Sequence, residues 1–179
     1  MGVGDMRNVL DRVYGIAQWA AGACILFICA IVTVQVGLNI TARIGGPEWS
    51  YTLPSYADFA GYFLAAASFF ALAPTLRAGG HIRVNLLVQS LSEKPRWITE
   101  LFCLLFGTVL LRYATFYAAA LLHESWDYGD TSTGIIAIPL WIPQSAMVLG
   151  LFILTVALVD TLIETLIAKQ PVLPDNGSE

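Results

Sequence analysis

The side chains able to do chemistry are few and widely separated. His81 and His123 are the only imidazoles in 179 residues. Bis-histidine haem ligation takes two facing imidazoles. His81 falls in a turn and His123 at a helix end, so no such pair is expected. Cys24, Cys29 and Cys103 lie inside apolar runs, with no CxxC pair and no His/Cys spacing suited to zinc. A disulfide framework and a zinc site are therefore unsupported, and the three thiols read as buried small hydrophobes. Arg77-Ala-Gly-Gly-His81 is glycine-rich but lacks the Lys-Ser/Thr ending of a phosphate loop. No nucleophile has an identifiable base. The chain reads as a non-enzyme with no metal or cofactor of its own.

The charged residues within or beside apolar runs are more informative. Asp58 opens one such run, Glu100 lies early in another, and Asp160 and Glu164 close a third. These acids sit at helix ends, where Glu100, Asp160 and Glu164 could pair with Arg77 or rest at headgroup level. Arg112 is the one charge near the middle of a run. Placing it there costs about 2.5–3.5 kcal/mol on the insertion scale, so it needs a partner or water. Glu100 is twelve residues away, roughly 18 Å along a helix. Ser68 lies at similar depth but is neutral. Either Arg112 snorkels or pairs with backbone carbonyls, or it meets an acid or a polar cavity in another subunit.

The elements that position these residues follow from where charge is missing. Hydrophobic residues make up 57% of the chain and charged residues 12%, with a mean hydropathy of +0.69. That charged share is about half that of a soluble domain. A net charge of −4, with no basic excess, gives no support for nucleic-acid binding. Residues 13–42, 59–76 and 131–159 contain no Asp, Glu, Lys or Arg. About 20 apolar residues cross a bilayer core, and in lipid the backbone must satisfy its own hydrogen bonds. The pattern predicts transmembrane helices near 14–40, 56–76, 97–123 and 141–168. The first run is too long for a signal-peptide core and reads as a retained span. Pro74 should kink or end the second helix. Ser55 and Asp58 resemble a capping box, with Ser55 as N-cap. Pro95 and Pro143 suit first turns. Tyr51, Tyr56, Trp97, Trp126 and Trp141 would form the aromatic belts.

Seven of the nine basic residues (Arg7, Arg12, Arg77, Arg83, Lys94, Arg96 and Lys169) fall on one side of this topology. The positive-inside rule makes that side cytoplasmic, with both termini inside. Between the second and third spans, Val84, Leu87, Val88 and Leu91 are spaced as one apolar face. They predict a short amphipathic helix lying in the interface or packed on the span ends. The fold expected is an all-α membrane protein. Residues 1–170 would form a single four-helix transmembrane domain, and 171–179 a disordered tail. No internal repeat is visible, which weakens an inverted-repeat carrier. Small residues (Ala17 with Ala21, Gly61 with Ala65, Ala118 to Ala120) would let helices approach closely.

Two segments carry a family resemblance. Leu72-Ala-Pro-Thr-Leu-Arg77-Ala-Gly-Gly80-His81-Ile82-Arg83-Val84-Asn85 resembles the signature after the second span of the small membrane subunit of tripartite ATP-independent periplasmic (TRAP) transporters. Ser132-Thr-Gly-Ile-Ile-Ala-Ile-Pro139-Leu-Trp141-Ile-Pro143 resembles that family's stretch before the last span. Asn85 stands where the family commonly has an acid, and Asp58 where it often has Glu early in the second span. The resemblance implies a small permease subunit acting as a scaffold in an inner membrane of bacteria or archaea. Its implied partners are membrane lipid, a large membrane subunit that carries sodium and substrate, and a periplasmic binding protein that delivers an organic acid or similar small solute. It also implies that specificity lies in other polypeptides. Arg77, His81, Arg83 and Asn85 would order the cytoplasmic turn. Trp126, Asp127, Tyr128 and Asp130 could form a docking surface outside. The competing classes are a stand-alone four-helix carrier or channel acting as a homo-oligomer, and a membrane redox protein.

Overall fold

The computed structural model describes residues 3–79 and 93–168, and over that range the chain is all helical. Four helices are long and apolar enough to cross a membrane. They are α1 (Val3–Gly45), α2 (Tyr56–Arg77), α3 (Glu93–Tyr128) and α4 (Trp141–Ala168). The amphipathic segment 84–92 and the tail from 171 onwards lie outside the described residues.

Helices α1 and α3 outrun the apolar stretches that define them. The 43 residues of α1 extend about 65 Å, against a hydrocarbon core of about 30 Å. Arg7, Asp11 and Arg12 at one end, and His123, Glu124 and Asp127 at the end of α3, continue the helices as polar turns. Loss of apolarity ends a span but does not end a helix. The stops are conformational. Gly46 takes φ 85° before Pro47, and Gly129 takes φ 67°, a backbone region that costs glycine little. The Asp130 amide then bonds the Ser125 carbonyl at 3.1 Å, closing the last turn of α3.

Of two expected helix signals, at Pro74 and at Ser55, the second is corrected. Helix α2 passes through Pro74 and ends three residues later, at Arg77. The proline withholds one donor, but the amide of Ala78 still bonds the Pro74 carbonyl at 2.9 Å. Ser55 does not cap α2 with its side chain. It sits in the left-handed region at φ 56°, and its hydroxyl accepts the Ile136 amide at 3.0 Å. A neighbouring loop has claimed the oxygen that the capping box needed.

The helices do not close into a bundle. They lie in a row, in the order α1, α2, α4, α3. Helix α1 approaches α4 at few places, and among the described residues α3 has no backbone approach to α1 or α2. Each inner helix is thus covered on two sides and each outer helix on one. Packing in lipid depends on close van der Waals fit, since lipid tails are as apolar as leucine. Ala17, Ala21 and Ala118 are buried as that fit requires, whereas Gly61 and Ala65 face outward. The tightest approach is Gly150 of α4, where a Cβ would lie 2.7 Å from the backbone of Phe69 in α2. The expectation of buried thiols also fails: Cys24 is half-buried, and Cys29 and Cys103 are exposed on the sides of the row. A small uncharged thiol is compatible with a lipid-facing position as it is with a core.

Both loops at the end away from the termini are pinned. After the short turn Pro47–Trp49, the Leu53 amide donates to Gln35 Oε1 at 2.9 Å, and Gln35 Nε2 donates to Asn39 Oδ1 at 3.0 Å. Gln35 is buried, so replacing it with leucine strands a backbone donor. We expect Gln35→Leu to lower thermal stability in detergent by about 1–3 kcal/mol.

Candidate functional site

The polar groups gather at the two ends of the row. At the end carrying the termini, Arg77 closes α2 and points at α4. Its Nη1 lies 2.8 Å from Glu164 Oε2 and 3.4 Å from Asp160 Oδ2. The two acids are four residues apart, so they project from one face of α4. Thr161 and Thr165, wholly buried on the same stretch, turn their hydroxyls back to the carbonyls of Ala157 and Thr161, each at 2.8 Å. Arg77 Nη1 also donates to Thr161 Oγ1 at 3.4 Å.

The other two helices join at this level. Arg7 of α1 forms an ion pair with Glu164 Oε1. The ring of Tyr14, also from α1, lies 5.9 Å from the Arg77 guanidinium carbon, a cation–π distance. From α3, Trp97 Nε1 donates to the Thr165 carbonyl at 3.0 Å. Two guanidinium groups and two carboxylates balance, and all four side chains except Arg7 are largely buried. Among the described residues, no group of three or more His, Cys, Asp or Glu could hold a metal. Charges satisfied by one another have little capacity left for a ligand. What the arrangement does is fix four helix ends against each other.

At the opposite end, residues 129–140 fold into a short hairpin-like loop. The Leu140 amide bonds the Asp130 carbonyl at 2.9 Å, and the Ser132 amide bonds the Ile138 carbonyl at 2.8 Å. Thr131 and Pro139 form an isolated antiparallel bridge. The loop lies over the start of α2: a Cβ on Gly134 would overlap Asp58 Oδ2 and sit 2.9 Å from Ser55 Oγ. Trp141 opens α4 and meets Trp126 of α3 edge-on, with centroids 4.8 Å apart. Gln144 Nε2 donates to the buried Ser125 Oγ at 2.9 Å.

The residues singled out from sequence therefore separate into three places. Arg77 belongs to the terminal-end cluster. Asp58, Pro139 and Trp141 share the loop end. Arg112 stands between them on α3, exposed. Gly80, His81, Ile82, Arg83 and Asn85 lie outside the described residues. Sequence reasoning missed Tyr14, Thr161 and Thr165. The i, i+4 pattern of Asp160 with Glu164 and of Thr161 with Thr165 was the available signal, a polar turn closing an apolar run.

Four spans in an open row, locked at one end and capped by packed loops at the other, define a small multi-pass membrane protein whose broad sides are available for packing. A family profile described as the DctQ component of tripartite ATP-independent periplasmic transporters matches residues 49–168, two thirds of the chain. The chain belongs to this family and is a TRAP transporter small permease subunit. No curated protein matches it. Membership in a transporter component family is consistent with the expectation of a non-enzyme.

Proposed function

We propose that this chain is the scaffold of its transporter. Its row of helices packs on the fixed part of a large membrane subunit and holds that subunit at a set depth in the inner membrane. The large subunit would move sodium together with an organic acid or similar small solute, delivered by a periplasmic binding protein. Both termini, and the Arg77 cluster with them, lie on the cytoplasmic side in this reading. The Asp58–Gly134 loop end faces the periplasm.

One observation carries the proposal: the helices form an open layer and not a closed bundle. Of the most apolar window of each span, only 11–28% of residues are buried within the chain. A layer one helix thick has no interior wide enough to enclose a path, and it offers continuous surface to a neighbour. The deficit of acids at membrane depth agrees, since transport sites normally place ionisable groups there.

The test is purification from membranes in mild detergent with the large subunit of the same transporter co-expressed and only this chain tagged. Stoichiometric recovery of the large subunit supports the scaffold. Recovery of this chain as a homo-oligomer, with the large subunit left in the flow-through, contradicts it.

A further inference from the structure

The two outer helices of the row differ in one respect that bears on which edge meets protein. The outer side of α1 is a lipid-compatible surface: Ile16, Trp19, Ile25, Leu26 and Val34 are exposed, and residues 13–42 carry no charge. The outer side of α3 carries Phe102, Leu105, Val109 and Phe116, also exposed, with Arg112 among them. The depth of Arg112 is fixed by its neighbours. One turn away, Thr115 Oγ1 contacts Thr155 Oγ1 at 3.1 Å, and Thr155 lies at the middle of α4. Trp97 and Trp126, which mark the interfaces, are fifteen and fourteen residues distant, roughly 22 and 21 Å along the helix. A guanidinium on its three-carbon stem covers only a fraction of that, so it reaches no headgroup by snorkelling.

Among the described residues nothing answers the charge. Arg112 has no hydrogen-bond or ion-pair partner among the described residues. At the terminal end, Asp160 and Glu164 are committed to Arg7 and Arg77. Asp58 is packed under the loop at the other end. A second copy of the chain, related by an axis along the membrane normal, would bring Arg112 towards Arg112 at equal depth, which like-charge repulsion disfavours.

We infer that the α3 edge is the face that meets the large membrane subunit, and that the subunit presents a carboxylate to Arg112 near the bilayer midplane. This rests on the scaffold reading given above. Guanidinium and carboxylate then neutralise each other in a medium of low dielectric, where the pair fixes register and depth as well as adding affinity. The aromatic and aliphatic residues around Arg112 form the apolar surround that keeps water from the pair.

The experiment measures the dissociation constant of this chain with the large subunit in mild detergent, for wild type, Arg112→Leu, Arg112→Lys and Arg112→Glu. The thermal stability of each chain alone is measured alongside. Arg112→Leu should raise the dissociation constant about thirtyfold or more, as expected for truncating one member of a buried interfacial charge pair. It should leave the stability of the isolated chain at or above wild type. Arg112→Lys should retain more affinity than Arg112→Leu, and Arg112→Glu should bind worst. An intramembrane Asp→Lys or Glu→Lys change in the large subunit that restores binding to Arg112→Glu identifies the acid. Unchanged affinity in Arg112→Leu overturns the inference, and so does a loss of stability in the isolated Arg112→Leu chain, which would place the partner of Arg112 within this polypeptide. If wild type itself fails to bind the large subunit, the scaffold reading falls first.

Discussion

Replacing Arg77 with methionine should destabilise the isolated chain by about 3 kcal/mol. That is the lower part of the range for removing one member of a buried ion pair, because Asp160 and Glu164 keep some exposure, 22% and 14%. Arg7 remains on Glu164, whereas Asp160 loses the one cation within ion-pair distance of it among the described residues. The cost is that of leaving a carboxylate desolvated without a counter-charge, and it exceeds the worth of the contact itself. The control is therefore chemical. Arg77→Met combined with Asp160→Asn and Glu164→Gln should recover most of the stability, because the neutral amides need no cation. Arg77→Lys should fall between, as it keeps the charge but lacks the planar guanidinium that lies over the Tyr14 ring. Thermal unfolding in one detergent, read by tryptophan fluorescence, measures wild type and all three variants. A loss below about 0.5 kcal/mol in Arg77→Met, the usual range for surface changes, would show that the cluster does not hold the helix ends.

The second large effect is steric and lies where α2 crosses α4. A Cβ at position 150 would stand 2.7 Å from the backbone carbon and oxygen of Phe69. No rotamer relieves a clash with backbone, so the helices must separate along their contact. Gly150→Ala should cost about 2 kcal/mol, and Gly150→Leu about 3 kcal/mol or more, the range for overpacking a tight interior. Gly37 in α1 is the contrast, since a Cβ there would meet nothing within 4 Å. Gly37→Ala should stabilise the isolated chain by about 0.5–1 kcal/mol, through helix propensity alone. Equal effects at the two glycines would mean that α2 and α4 have room to spare at their crossing.

The spans were legible because the absence of charge over 13–42, 59–76 and 131–159 is a strong signal in itself. Their arrangement was not. A soluble helix shows its inner face by alternating apolar and polar sides, but a helix in lipid is apolar on all sides. Phe69 and Phe116 look alike in sequence, although one packs at a helix crossing and the other is exposed. Nothing in the pattern separates a row from a bundle. The ends of α1 and α3 were set by Gly46 and Gly129, beyond the last apolar residue, so hydropathy placed them too early. Ser55 had the residue type of a cap, and the competing donor, Ile136, was 81 positions away. At the terminal end, Arg77, Asp160 and Glu164 could be seen as possible partners. Tyr14 could not, and the i, i+4 spacing of Thr161 and Thr165 marked a polar turn without showing which helix it faces, because these roles depend on which helices are neighbours. Arg112 stood out from composition alone, and the geometry sharpened it by placing it on the exposed edge.

The central claim is that this layer of helices supports transport without performing it. The direct measurement is solute uptake into proteoliposomes under a sodium gradient, with the binding protein and solute supplied outside, for vesicles holding this chain alone, the large subunit alone, or both. The account predicts no uptake by this chain alone and sodium-dependent uptake when both are present. Concentrative uptake into vesicles that contain only this polypeptide would contradict it.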